Sequence, residues 1–157
     1  MDADSVIRLR RVVLVLARRL NTTSMDDGLT PAQASVLGIV AHHRSLGLAE
    51  LIEIEGLNPT MLSRVVGKLD SLGLIQRLRD PDDYRAVRVE VTPEGEETWQ
   101  RISSLRAAII SECVAGLPAE QDATLVASLP MLENLAEALR ALLRQDQQSR
   151  DEKVNRA

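Results

Sequence analysis

The hydrophobic period of this chain changes twice between residues 57 and 93. Leu62, Val65, Val66, Leu69 and Leu72 recur every three or four positions, the spacing of a helix with one buried face. Val87, Val89 and Val91 then alternate with Arg88 and Glu90, as in a half-buried strand. After Thr92-Pro93 the helical spacing returns. A single short β-prone patch enclosed by helices is too little for a sandwich, a barrel or a wound sheet. It predicts a mainly α fold with a small β-hairpin. The sequence contains no Phe, one Trp and one Tyr. Its core must be built from Leu, Val, Ile, Ala and Met, which suits helix packing better than a sandwich. The same scarcity argues against proteins that stack single-stranded bases on aromatic side chains.

Turn and capping residues divide the chain of 157 residues. Val6, Leu9, Val13, Leu16 and Leu20 form a helical seam near the start. Thr30-Pro31-Ala32-Gln33 reads as a helix start: Thr30 caps, Pro31 suits the first turn and Gln33 closes a capping box. That helix should end near His43. Leu48 to Glu55 reads as a short helix stopped by Gly56. Asn58 caps the next, Pro59 opens it and Gly73 ends it. Two strands, Leu74 to Leu78 and Val87 to Val91, flank a segment rich in turn formers. Thr92-Pro93 starts a long helix to about Ala115, with Trp99, Ile102, Leu105, Ile109 and Cys113 on its apolar stripe. A last helix carries Leu125, Leu129, Leu132, Leu135, Leu139 and Leu142, and Pro130 inside it should kink or split it. From Gln145 the chain is polar and is expected to fray.

The net charge is −4, unevenly spread. Residues 1–24 hold five Arg against two Asp, and residues 58–88 hold six bases against four Asp. The segments 25–57 and 89–157 are acidic. An acidic total argues against a chain that coats nucleic acid and leaves room for a local basic surface. The lone Cys113 forms neither an internal disulfide nor a thiolate zinc site. The apolar run Val12 to Ala17 is too short for a signal-peptide core and nothing approaches a membrane span. The expectation is a cytoplasmic protein that does not enter a membrane.

Two helices joined by a tight turn and followed by a hairpin form the informative constellation. The second helix puts Thr60, Ser63, Arg64, Gly67, Lys68 and Ser71 opposite its apolar face. Small residues permit close approach to a surface, hydroxyls reach phosphates or base edges, and an Arg can pair with guanine O6 and N7. The hairpin tip sets Arg79 and Arg85 around three aspartates, and Asp83 is placed to hold the Arg85 guanidinium in one pose. A rigidly presented Arg suits a narrow minor groove.

The run Leu57-Asn58-Pro59-Thr60-Met61-Leu62-Ser63-Arg64-Val65-Val66, the tip Arg79-Asp80-Pro81-Asp82-Asp83-Tyr84-Arg85-Ala86 and the sequel Thr92-Pro93-Glu94-Gly95 resemble the MarR family of bacterial transcription regulators. Specific motifs cover residues 30–97; the flanking helices match in length and order. The resemblance implies a winged helix-turn-helix core, residues 30–92, flanked by dimerisation helices at 1–29 and 93–144, with a polar tail at 145–157, all in one domain. It implies an obligate homodimer on a pseudo-palindromic stretch of double-stranded DNA, acting as a repressor. The second helix of the motif would read the major groove and Arg85 the minor groove. On that basis the DNA-binding candidates are Asn58, Pro59, Thr60, Met61, Ser63, Arg64, Lys68, Arg79, Asp83 and Arg85. Relatives commonly release DNA when a small molecule binds between the dimer and reading regions; here such a pocket should be mainly aliphatic with arginines at its rim. Glu55, where an apolar residue is usual, Met61, where a small hydroxyl residue is usual, and Pro130 depart from the family pattern.

Other residues carry less. Cys113 on the apolar stripe reads as a buried thiol rather than a redox sensor. His42 and His43 are adjacent on a helix, point about 100° apart and lack further ligands for zinc. Glu94, Glu96 and Glu97 suit the helix dipole better than catalysis. No nucleophile–base pair and no phosphate loop is present, so neither an enzyme nor a cofactor is expected. The competing reading is a winged-helix dimer that binds proteins or sequesters a ligand without touching DNA.

Overall fold

The computed structural model describes residues 1–22, 28–79 and 86–155, with side chains of the last helix described through Leu142 and at Gln145. Helices α1 (Ala3–Thr22), α2 (Pro31–His43), α3 (Leu48–Glu55), α4 (Pro59–Ser71), α5 (Pro93–Ala115) and α6 (Ala119–Asn155) lie among these residues, with strands β1 (Ser45–Gly47), β2 (Ile75–Arg79) and β3 (Val87–Val91). The caps predicted from sequence form. Thr30 Oγ1 accepts from the Gln33 amide and Gln33 Oε1 accepts from the Thr30 amide, the two halves of a capping box. Asn58 and Thr92 cap α4 and α5 in the same sense.

The three strands form an antiparallel sheet in the order β1-β3-β2. In the hairpin Ile75 faces Val91 and Arg79 faces Val87. Strand β1 was not expected from the sequence. Its three residues carry no periodic signal; it exists because Leu46 pairs with Val89 and is itself buried.

One apolar cluster joins Leu29 to α2 (Val36, Leu37, Val40), β1 (Leu46), α3 (Leu51), α4 (Leu62, Val66, Leu69), the sheet (Ile75, Val89) and α5 (Ile102). Fully burying each such side chain is worth about 1.5–3 kcal/mol. The single chain's stability is therefore concentrated between Leu29 and Ile102. Leu72, expected on the inward face of α4, is exposed at its C-cap, where the helix has already ended.

The outer helices look different. Helix α1 has no buried residue, and Val6, Val13 and Leu16 of its seam are exposed. So are Leu105 and Ile110 of α5 and Leu125, Leu129, Leu135, Leu139 and Leu142 of α6. Cys113 is exposed as well, which corrects its reading as a buried thiol: the stripe is buried at Ile102, near the head, and exposed by Cys113 in the single chain. Pro130 lies inside α6 without dividing it, and the helix runs past Gln145 to Asn155 rather than fraying there. No helix among the described residues is long and apolar enough to cross a membrane.

Candidate nucleic-acid interface

Helix α4 is held by its apolar face. Leu62, Val65, Val66 and Leu69 are buried against the head, which leaves Thr60, Met61, Ser63, Arg64 and Lys68 exposed on the other side. Asn58 Oδ1 accepts the Met61 amide at 2.8 Å and Pro59 occupies the first turn. No acidic residue stands in that turn, so the positive end of the helix dipole is uncompensated there. The free amide dipoles, the Thr60 and Ser63 hydroxyls, Arg64 and Lys68 share one exposed face.

The hairpin leaves the head beside this helix. Only Ile75 of β2 is buried; Gln76, Arg77, Leu78 and Arg79 are exposed, so the strand projects outward. Arg79 ends it. The tip, residues 80–85, lies outside the described residues, and with it the expected roles of Asp83 and Arg85. The structure thus brings Asn58, Pro59, Thr60, Met61, Ser63, Arg64 and Lys68 together on α4, with Arg79 at the end of β2.

Arg77 was missed. Its Nη2 donates to the Ser63 carbonyl at 3.4 Å and its Nε lies 3.8 Å from Asp70 Oδ2. The guanidinium occupies the space beside Gly67: a Cβ there would stand 3.2 Å from Nη2. Gly67 had been read as a small residue admitting DNA; it admits a side chain of β2 instead. No spacing rule links residues 67 and 77, since the contact arises only once the hairpin folds back.

The far end of the hairpin is fixed at Thr92. Its Oγ1 accepts from the Gly95 amide at 3.1 Å and donates to the Gly73 carbonyl at 2.6 Å. Gly95 is buried, and a methyl there would collide with the Leu74 carbonyl. The Thr-Pro-Glu-Gly sequel therefore has a physical reason: the start of α5 must lie directly on the end of the α4–β2 connection.

On the other side of the head, a cleft of about 600 Å³ lies between α2, α3, α5 and α6. Ile39, Ile54 and Trp99 line it, with His42, Arg106 and Arg140. The Trp99 ring lies against Gly38, where any Cβ would overlap it, and the Arg106 guanidinium stands 5.9 Å from the ring centroid. Burial pulls the Arg106 pKa down. A mainly aliphatic pocket with arginines was expected; this cleft is mixed instead, with Ser35, His42 and two arginines beside Ile39, Ile54 and the one tryptophan of the sequence. Nearby, Glu55 is half-buried and accepts from Ser35 Oγ at 2.9 Å. Burial raises its pKa, against the Ser35 hydrogen bond and the Arg140 charge, which lower it. His42 and His43 meet edge to face and are exposed; among the described residues no three potential ligands gather as a metal site.

With this geometry in view, residues 29–87 match the model of the MarR family. Over these residues the chain resembles the MarR family. A cysteine-to-serine mutant of the MarR protein of E. coli superposes with a TM-score of 0.73 at 26% identity, over 84% of this chain and 96% of that one. In its complex with operator DNA it superposes at 0.65 with 25% identity, over 84% and 99%. NadR in complex with 4-hydroxyphenylacetate shares the fold, with a TM-score of 0.64 at 20% identity over 88% and 91%. The transcriptional repressor MdtR of Bacillus subtilis (strain 168) is 29% identical over 95 residues, 60% of this chain and 61% of the relative's length. These MarR-type relatives are transcription regulators, not enzymes. The winged helix-turn-helix expected from the sequence is the architecture observed.

Proposed function

We propose that this MarR-type protein is a homodimeric, sequence-specific DNA-binding repressor whose affinity for a pseudo-palindromic operator is set by a small molecule. The carrying observation is α4, which buries one face in the head and leaves Ser63, Arg64 and Lys68 exposed beside a projecting hairpin. Arg64 reads a base edge, Lys68 and the α4 N-terminus take phosphates, and Arg79 with the Asp83-Arg85 tip follows the adjoining backbone and minor groove. Residues 30–92 form the reading unit. Residues 1–29 and 93–144 supply the dimer surface, supported by the exposed apolar side chains of α1, α5 and α6. Two such units related by a two-fold axis address half-sites about one helical turn apart. The cleft at Trp99 is the effector site in this reading, as NadR's bound ligand suggests for the fold. A ligand there acts by favouring one spacing of the two α4 helices over another.

The test is titration of the full chain with its own upstream DNA and with random DNA at two salt concentrations. A sequence preference with a steep salt slope supports the reading. Arg85→Ala should cost about 1–3 kcal/mol of operator affinity with the dimer intact. Arg64→Ala should lower operator affinity more than random-DNA affinity; equal losses would make Arg64 a phosphate contact. Binding to neither DNA would favour the interaction-module reading instead.

A further inference from the structure

Arg77 stands between the two parts of the interface and belongs to neither in the reading above. Helix α4 and strand β2 pack together at the base of the hairpin through Leu62, Val66, Leu69 and Ile75, but beyond Ile75 the strand is exposed and the core no longer holds it against the helix. Three observations converge on Arg77. Its guanidinium gives the Ser63 carbonyl a hydrogen bond in addition to the helix's own ladder. The same fork reaches Asp70, two turns further along α4. Gly67, between those two positions, is the one residue of that face without a side chain to block the approach.

We infer that Arg77 is a positioning residue, a clasp that fixes β2 at one angle to α4 and so sets the distance between the groove-reading helix and Arg79 at the end of the strand. The inference rests on the DNA-reading function proposed above. A planar fork pre-organised between two acceptors suits this task better than a flexible ammonium. Both partners of the clasp lie on α4 and its own atoms on β2, so its effect is on relative placement rather than on the core. None of Ser63, Asp70 and Arg77 belongs to the buried cluster.

The clasp can be examined first without DNA. In proton–nitrogen NMR of the free protein, the Arg77 Nη protons should show restricted rotation and slowed exchange, because Nη2 is the donor to the Ser63 carbonyl, and both should be lost in Asp70→Asn and Gly67→Ala. A freely rotating, unprotected Arg77 guanidinium in the wild type overturns the clasp, whatever the protein does with DNA.

Operator titrations then test its consequence. Arg77→Ala should lower the ratio of operator to random-DNA affinity about tenfold. It should also shrink the effect of Arg85→Ala, because a misplaced tip contributes less; in a double-mutant cycle the two losses should be strongly less than additive. Arg77→Lys keeps the charge and loses the fork, and should resemble Arg77→Ala. Gly67→Ala guards against a folding artefact. It replaces a poor helix former by the best one, so thermal stability should hold or rise while the affinity ratio falls. Equal losses on operator and random DNA, with additivity to Arg85→Ala, would make Arg77 a phosphate contact and overturn the inference. So would a wild-type ratio in Arg77→Lys, or in Gly67→Ala. A wild type without sequence preference would instead defeat the function proposed above, and the NMR result would stand apart from it.

Discussion

Glu55 shows what a single departure from an expected residue type does. At the end of α3 it is half-buried, accepts a hydrogen bond from Ser35 and stands near the Arg140 charge. Burial wins over both and raises its pKa above the ordinary value of 4.5. The folded state therefore binds this proton more tightly than the unfolded state. The contribution of Glu55 to stability is most favourable at low pH and declines as pH rises through the raised pKa. Glu55→Gln removes the charge and keeps an acceptor for Ser35. It should be more stable than the wild type near neutral pH, and the advantage should shrink as pH falls through the raised pKa and Glu55 takes up its proton. Urea denaturation on both sides of that pKa checks this. A less stable Gln variant, or a pH-independent difference, would contradict it. Cys113 teaches the converse lesson at the same scale. Its place on an apolar stripe was visible in the sequence, but a stripe marks a surface that avoids water, and it does not say whether the cover comes from the same chain. In the single chain Cys113 is exposed.

At the scale of elements, local chemistry was the most legible part. Thr30, Asn58 and Thr92 act within three residues of themselves, so their caps could be read from sequence and are present. The β1 strand, the Arg77 clasp and the cleft depend on contacts between distant residues, and no local pattern encodes them. Pro130 does not split α6: it removes one amide from the ladder, and the helix is continuous from Ala119 to Asn155. Thr92 is the element-level keystone, since one hydroxyl caps α5 and ties it to the Gly73 carbonyl. Thr92→Ala should cost about 2 kcal/mol, combining a lost cap with the lost hydrogen bond to the Gly73 carbonyl. Thr92→Ser should recover most of it. Thermal or chemical denaturation of the two variants decides the point; equal loss in both would assign the effect to the methyl group rather than the hydroxyl.

For the whole molecule the governing contrast is between a head with a closed core and outer helices without one. The head buries its apolar residues by itself. Helices α1, α5 and α6 hold exposed Val, Ile and Leu side chains, the surface assigned to the partner in the dimer proposed above. The −4 total charge is the sum of unlike regions, basic at the N-terminus and around α4 and acidic elsewhere, and so says little about DNA by itself. Leu16→Asp in α1 and Leu135→Asp in α6 should each shift a micromolar dimer toward monomer in sedimentation equilibrium. Neither residue belongs to the head's cluster, so the head should stay folded by circular dichroism. A wild type that sediments as a monomer would end the two-fold model altogether.

The position of Trp99 has an optical consequence. It is the only indole in the sequence, and its ring borders the cleft between Gly38 and Arg106. Light absorbed near the red edge of the protein's ultraviolet band is therefore taken up at one place in each chain. Emission wavelength and quenching report the polarity and occupancy of that place without a label, so the protein carries its own gauge of whatever enters the cleft.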